Sequence, residues 1–159
     1  MFNLRQEAES RTERYALILE TLPAFLEKQV PSVTLLANVS ALLNVYLDTI
    51  NWVGFYMMDH QRLTLGPFQG LPACTTIEIG QGVCGTAANR LQTIIVHDVE
   101  QFPSHIACDA NSRSEIVVPL VKDGTLLGVI DVDSPVIGRF SQEDATLLEK
   151  VARMLVDFL

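Results

Sequence analysis

The sequence predicts an α+β domain with a mostly antiparallel central sheet and N- and C-terminal helices packed on one face. Apolar residues recur at helical spacing near both ends of the chain, whereas the middle carries short apolar runs joined by tight turns. Hairpins therefore dominate over βαβ units, and this order is typical of an antiparallel sheet covered by helices.

Two helices are expected at the start of the chain. The first covers about Asn3 to Glu27 and breaks at Pro23, and the second covers about Val33 to Leu47. Ser32 stands directly before the second apolar run, where a hydroxyl side chain is a good N-cap.

Strands are expected from residue 52 onwards. Trp52 to Met58 and Arg62 to Phe68 form a predicted hairpin across the turn at 59–61. Three shorter elements follow: a strand at Thr76 to Ile79, a helix at about Val83 to Arg90 and a strand at Thr93 to Val96. Residues 98–111 lack periodicity and are interpreted as a long functional loop.

A second hairpin and a terminal helix complete the fold. Glu115 to Val121 and Thr125 to Val132 flank an Asp-Gly pair, which supplies the positive φ angles of a tight turn. Ser141 stands three residues before Asp144 and opens an amphipathic helix. No linker or repeat divides the chain, so residues 1–159 are expected to form a single domain.

Composition limits the partners. The 159 residues are 48% hydrophobic, with a net charge of -8 and a pI near 4.7. Clustered cations are needed to neutralise phosphates, so nucleic acid and anionic membranes are disfavoured and a small or cationic ligand fits better. Neither a secretory signal nor an apolar run of membrane-spanning length is found, which predicts a cytoplasmic protein.

Three cysteines, Cys74, Cys84 and Cys108, suggest thiol chemistry in a reducing compartment, although buried apolar roles are the common alternative. A Cys3His zinc site with His105 is disfavoured because the chain has no C-x-x-C pair. Cys84 lies in the first turn of a predicted helix, where the helix dipole stabilises a thiolate, so it is predicted to be the more acidic thiol. The negative charge of Asp109 opposes ionisation of its neighbour Cys108. Local sequence leaves open which thiol attacks.

Residues 80–85 (GQGVCG) match the dinucleotide-binding pattern G-x-G-x-x-G. A Rossmann domain is rejected, since it needs repeated βαβ units. We expect instead a tight turn whose backbone N–H groups, at a helix start, can hold an anion such as an α-carboxylate.

Acidic and aromatic residues suggest a binding site. Asp131 and Asp133 are two apart in an extended run and therefore share a face, and Glu115 lies on the neighbouring predicted strand. A solvated sheet face is the ordinary interpretation of such acids, and core packing is the ordinary role of aromatics such as Trp52 and Tyr56.

The motifs, taken together, resemble the free methionine-(R)-sulfoxide reductases, a branch of the GAF-domain superfamily. The resemblance runs from about Ala16 to the C-terminus and rests on five stretches and a cysteine: 66–70 (GPFQG), Cys74, 82–85 (GVCG), 98–99 (DV), 102–109 (FPSHIACD) and 112–120 (SRSEIVVPL).

This resemblance implies a GAF-like homodimer with a pocket for free methionine sulfoxide. It implies Cys108 as the attacking thiolate and Cys84 or Cys74 as the resolving thiol. Trp52 and Tyr56 would pack on the thioether end of the substrate, while Glu115, Asp131 and Asp133 would bind its ammonium group and polarise the S=O bond.

The chemistry needs a thiolate and an acid but neither a metal nor an organic cofactor. Attack on sulfur yields methionine and a sulfenic acid, which condenses with a second cysteine to a disulfide. An outside dithiol such as thioredoxin would reopen it. The alternatives are a non-enzymatic GAF domain that senses a small ligand, such as a cyclic nucleotide, and a thiol redox sensor without a substrate.

Overall fold

A computed structural model describes residues 10–103 and 110–159, and its centre is a six-stranded sheet in the order β3-β2-β1-β6-β5-β4. Every pair of neighbouring strands is antiparallel. The strands are β1 Trp52–Asp59, β2 Arg62–Gln69, β3 Thr76–Glu78, β4 Ile94–Val96, β5 Ser114–Lys122 and β6 Thr125–Ser134. The α-helices are α1 Arg11–Thr21, α2 Ser32–Tyr46, α3 Gly82–Arg90 and α4 Gln142–Leu155. Short 3-10 helices are present at Leu22–Phe25, Val99–Gln101 and Val156–Phe158.

The two faces of the sheet carry separate apolar layers. Helices α1, α2 and α4 cover one face, where Ile18, Leu43 and Val151 are fully buried against the strands. Helix α3 covers the other face together with Trp52 and Tyr56. The predicted packing of the terminal helices on one face is therefore confirmed, and the opposite face is left for α3 and the site residues.

The first helix ends earlier than predicted, and residues 3–9 of the predicted helix lie outside the described residues. Within the described residues it begins after Ser10, whose hydroxyl accepts the Glu13 N–H at 3.2 Å, and the α-helix ends at Thr21. Pro23 lies in the 3-10 turn that follows, in keeping with the expected break. The prediction of Ser32 as an N-cap is wrong, because Pro31 occupies that position and Ser32 is the first helical residue.

Both predicted hairpins are confirmed. Strands β5 and β6 join at Asp123 and Gly124, which have φ values of 50° and 78° and so form the tight turn that the Asp-Gly pair predicted. The capping box at Ser141 is also present, since the Asp144 carboxylate accepts the Ser141 N–H at 2.8 Å.

A buried ion network ties the helical layer to the end of the sheet. Arg139 donates to the Asp144 carboxylate at 2.7 Å, to the Asp48 carboxylate at 2.8 Å and to the Asp48 carbonyl at 2.9 Å. The Tyr15 hydroxyl donates to Asp144, and Arg14 pairs with Asp48 at 2.7 Å. Burial alone would raise the pKa of Asp144, but the hydrogen bonds from Tyr15 and Arg139 outweigh it and lower that pKa.

Across residues 10–103 and 110–159, no helix has both the length and the apolar character needed to cross a bilayer.

Candidate active site

The strand register collects the predicted acidic residues on one face. Asp133 pairs with Trp52 on one side and with Glu115 on the other, so these three residues form a row across β1, β6 and β5. Side chains alternate along a strand, which places Asp131 on the same face in the next row, between Gly54 and Val117. That face is the one covered by α3.

Two of these carboxylates meet Cys84 in a buried cluster, which we call the thiol–acid cluster: Cys84, Glu115 and Asp131. Their polar atoms all lie within 4.8 Å of one another, and the Cys84 sulfur is 3.9 Å from the Glu115 Oε1. The exposed fractions are 3% for Cys84, 6% for Glu115 and 7% for Asp131. Asp133 is only half-buried and lies at the edge of this cluster.

Burial and mutual repulsion favour the protonated forms of the acids. Burial raises the pKa of Asp131 to about 7, and hydrogen bonds from Cys84 and Glu115 moderate the rise. The pKa of Glu115 is raised well above its ordinary value by burial and then by the negative charges of Asp131 and Asp133. The pair therefore retains a proton near neutral pH, so one of the two carboxyl groups can donate a hydrogen bond.

The helix dipole does not make Cys84 an acidic thiol, and the ranking of Cys84 against Cys108 lies outside the described residues. Cys84 is the third residue of α3, where the helix dipole favours a thiolate. Burial and the charges of Asp131 and Glu115 nevertheless raise the pKa of this thiol well above its ordinary value. Desolvation and adjacent carboxylates outweigh the dipole, so Cys84 is a protonated donor near neutral pH.

The two predicted aromatics form a stack beside the cluster. The Trp52 ring lies 5.3 Å from the Phe68 ring and 6.0 Å from the Tyr56 ring, both nearly parallel to it. Trp52 Nε1 donates to the Leu71 carbonyl at 3.1 Å, and the Tyr56 hydroxyl donates to the Cys74 carbonyl at 3.0 Å. The aromatic stack thus fixes the loop that carries Cys74.

Sequence reasoning missed Gly54 and Phe68 as members of the site. A Cβ at Gly54 would lie 2.4 Å from the Phe68 Cβ and 2.7 Å from the Trp52 Cη2, so only glycine lets the two rings stack here. A glycine inside an apolar strand was the available signal, because it often marks a close approach of other atoms.

The glycine turn at residues 80–85 serves packing. The Gly80 N–H donates to the Gly85 carbonyl at 2.7 Å, and the Gln81 N–H donates to the Glu78 carbonyl at 3.0 Å, so these two donors are not available to an anion. A Cβ at Gly85 would meet the Glu78 carbonyl oxygen at 2.3 Å. Among the described strands no parallel pair occurs, in keeping with the rejection of a Rossmann domain.

The cysteines differ in state. Cys74 is half-buried and disulfide-bonded, whereas Cys84 is a free, buried thiol. Cys108, the predicted attacking thiol, lies in residues 104–109 and so outside the described residues, together with that part of the predicted functional loop at 98–111.

Comparisons with known proteins identify the family. The GAF domain model matches residues 11–156. The free methionine-R-sulfoxide reductase of Escherichia coli (strain K12) is 47% identical over 146 residues, which cover 92% of this chain and 88% of that protein. The chain belongs to the free methionine-R-sulfoxide reductase family.

Other members of this reductase family agree in sequence and in structure. The free methionine-R-sulfoxide reductase of Saccharomyces cerevisiae is 46% identical over 80% of this chain and 75% of its own length. The X-ray structure of the Neisseria meningitidis free methionine-R-sulfoxide reductase was solved in complex with its substrate. It superposes on this fold with a TM-score of 0.94, at 40% identity over 99% of this chain and 95% of that chain. Membership of this family makes the chain an oxidoreductase with a GAF fold.

Proposed function

We propose that the chain reduces the (R)-sulfoxide of free methionine, with Cys108 as the attacking thiolate and Cys74 as the resolving thiol. The observation that carries the proposal is the convergence of Glu115 and Asp131 in a buried cluster, in register with Asp133 and Trp52. Buried acids beside an aromatic stack suit a substrate that has a cationic end and a thioether end.

The acids supply both recognition and activation. Asp133, half-buried at the edge of the cluster, would receive the substrate ammonium, and Trp52 would contact the methyl end. A methionine within a peptide carries no ammonium group, so it would leave the acids without a counter-charge. Leaving such groups unpaired costs roughly 1–3 kcal/mol or more, which favours the free amino acid.

The reduction transfers two electrons from a cysteine to the sulfoxide. The Cys108 thiolate attacks the sulfoxide sulfur, and the sulfoxide oxygen takes a proton from the pair formed by Glu115 and Asp131. This attack forms a transient bond between the two sulfurs. The protonated oxygen then moves from the substrate sulfur to the Cys108 sulfur while the S–O and S–S bonds to the substrate sulfur break, which leaves a sulfenic acid on Cys108 and releases methionine. The raised pKa values of the two carboxyl groups supply the proton near neutral pH.

Cys74 then resolves the sulfenic acid. Its thiol attacks the Cys108 sulfur, forming a disulfide and releasing water. Two observations favour Cys74 over Cys84 in this role: Cys74 is disulfide-bonded and Cys84 is free, and burial keeps the pKa of the Cys84 thiol high. Reopening the disulfide consumes an external dithiol, for which we propose thioredoxin or a similar protein.

Turnover with cysteine variants tests this assignment. Reduced protein supplied with an excess of reduced thioredoxin and an equal mixture of the (R)- and (S)-sulfoxides of free L-methionine should consume half of the sulfoxide. We expect Cys108→Ser to abolish the loss and Cys74→Ser to stop after about one methionine per site, because its sulfenic acid has no resolving thiol. Cys84→Ser is the matched control and should still turn over repeatedly.

Two outcomes would count against the proposal. Unchanged turnover by Cys108→Ser would reject the attacking thiol, and binding of a small ligand without any turnover would favour a GAF sensor. A single domain over residues 1–159, a homodimeric assembly and a cytoplasmic location stay predictions, which sedimentation and fractionation can test.

A further inference from the structure

We propose that the thiol–acid cluster also binds one borderline-soft divalent cation, of which Zn²⁺ is the physiological example, through the sulfur of Cys84 and one oxygen each of Glu115 and Asp131. These ligands differ from the Cys3His set considered from the sequence, because they come from α3, β5 and β6 and not from a cysteine pair.

The distances fit a tetrahedral ion. Zinc–sulfur and zinc–oxygen bonds of about 2.3 Å and 2.1 Å, at tetrahedral angles, separate sulfur from oxygen by about 3.6 Å. The Cys84 sulfur lies 3.9 Å from the Glu115 Oε1, and all three candidate ligand atoms lie within 4.8 Å of one another. The 3.9 Å separation exceeds the tetrahedral value by about 0.3 Å, and the other separations, none above 4.8 Å, need to shorten by at most about 1.4 Å to complete the coordination.

An unsatisfied oxygen provides a second, independent indication. The hydrogen bonds from Cys84 and Glu115 leave one oxygen of Asp131 unsatisfied, because Oδ1 is fully buried and has no hydrogen-bond partner among the described residues. Such oxygens are rare in folded proteins because leaving one without a partner costs about 1–3 kcal/mol. A cation bound through Oδ1 itself would satisfy it.

The donor set selects the kind of ion. A thiolate ligand disfavours Mg²⁺ and Ca²⁺, which prefer oxygen, whereas one sulfur and two carboxylate oxygens suit Zn²⁺ and its softer analogue Cd²⁺. Binding releases the protons held by the three groups, and the dication offsets the negative charges that then appear. Three protein ligands leave the fourth tetrahedral position to a water molecule, as in catalytic rather than structural zinc sites.

A cation bound in the thiol–acid cluster would inhibit the proposed reduction of methionine sulfoxide. The same two carboxylates bind and protonate the substrate in the proposed reaction, so a bound cation would exclude methionine sulfoxide. This consequence rests on the proposed function, whereas the binding of the metal itself does not.

The test measures metal binding by the oxidised protein without substrate, so its result does not depend on turnover. In that state Cys74 is in its disulfide and Cys84 is the free thiol of the described chain. Titration with Cd²⁺ alone should give one ion per chain and an ultraviolet sulfur-to-cadmium absorption band. Calorimetry with Zn²⁺ should give the same stoichiometry.

Variants identify the ligands. Cys84→Ser should remove the absorption band, and Asp131→Asn should weaken binding by at least the ~10–100-fold that is typical for the loss of outer partners of metal ligands. Asp123→Asn, the same charge change in the turn between β5 and β6, is the matched control and should bind like the wild type. Circular dichroism checks that each variant is folded.

A measurement on the wild-type protein tests the proposal without depending on the folding of any variant. Zn²⁺ should slow alkylation of Cys84 in the oxidised protein, because a coordinated sulfur is not a free nucleophile. Absence of saturable binding, or binding of equal affinity in Cys84→Ser, would overturn the proposal, as would an alkylation rate that Zn²⁺ leaves unchanged.

Discussion

Asp131 and Glu115 are carboxyl groups whose folded environment opposes their ionisation. Burial raises the pKa of Asp131 to about 7, and burial together with neighbouring carboxylates raises the pKa of Glu115. Because folding is more favourable when these groups are protonated, the free energy of unfolding decreases as they ionise. The site is therefore formed at the expense of stability above neutral pH, and a cationic ligand would offset that loss.

This linkage predicts the pH dependence of Asp131→Asn. Because the folded pKa is raised, the stability linked to the proton is present below about pH 4 and is lost as the pH rises through about 7. Asparagine resembles the protonated acid, so the variant should gain stability relative to the wild type between about pH 5 and pH 8. Urea unfolding at these two pH values measures the difference.

Asp123→Asn is the control for this experiment, since it removes a carboxylate from the same hairpin in a turn where asparagine tolerates the positive φ. Its difference from the wild type should not vary with pH over this range. A pH-independent difference for Asp131→Asn as well would contradict the raised pKa.

Individual residues of the site were predictable where spacing determines the face of a strand. Asp131 and Asp133 are two apart, which places them together without knowledge of the fold. Gly54 and Phe68 were missed because their contact depends on the pairing of β1 with β2, where Gly54 lies opposite Phe68. The acidity of Cys84 was misjudged because helix position is visible in sequence and burial among carboxylates is not.

At the scale of elements, strand β1 depends on a glycine to hold its aromatic stack. We expect Gly54→Ala to push the Trp52 and Phe68 rings apart, since the new Cβ would lie within 2.4 Å and 2.7 Å of their atoms. Overpacking of this kind costs about 1–3 kcal/mol. Trp52 is the only tryptophan in the chain, so its fluorescence reports the change directly, alongside urea unfolding.

Gly66→Ala on strand β2 is the matched control, because its nearest contact would be the Phe55 carbonyl oxygen at 3.1 Å rather than the stack. It should leave the emission of Trp52 nearly unchanged. Wild-type emission and stability in Gly54→Ala would show that the stack does not require glycine.

Elements with strong local signals were predicted well. The Asp-Gly turn and the capping box each depend on residues within a few positions of one another, and both hairpins are present. Helix ends were predicted less well. Ser32 resembles a good N-cap, but the backbone of Pro31 has the extended conformation and Ser32 is already helical.

At the scale of the whole molecule, the Arg139 network joins α1, the segment before β1 and the start of α4. We expect Arg139→Met to cost about 3–5 kcal/mol, because it leaves the buried Asp144 carboxylate without its cation. At about 2–4 °C per kcal/mol, the melting temperature should fall by roughly 6–20 °C. Calorimetry measures the change.

Arg14→Met provides the comparison, since Arg14 also pairs with Asp48 but in a partly exposed position. Its cost should stay below about 1 kcal/mol. Equal losses for the two variants would show that burial of the Arg139 pair does not determine its contribution.

The arrangement of layers was predictable from the order of elements, whereas this network was not. The helical periodicity at both ends requires a sheet face to cover, and the terminal helices do share one face. The contact between Tyr15 and Asp144 joins residues 129 positions apart, and no local pattern indicates it.

The acids of the site are carried by a single hairpin, because Glu115 lies on β5 and both aspartates lie on β6. A shift of one residue in the register of β6 would place its two acidic side chains in the apolar layer beneath α1, α2 and α4. Misaligned chains would thus be penalised by the same groups that recognise the substrate in the proposed function, so these acids also favour the correct register of the strand that carries them.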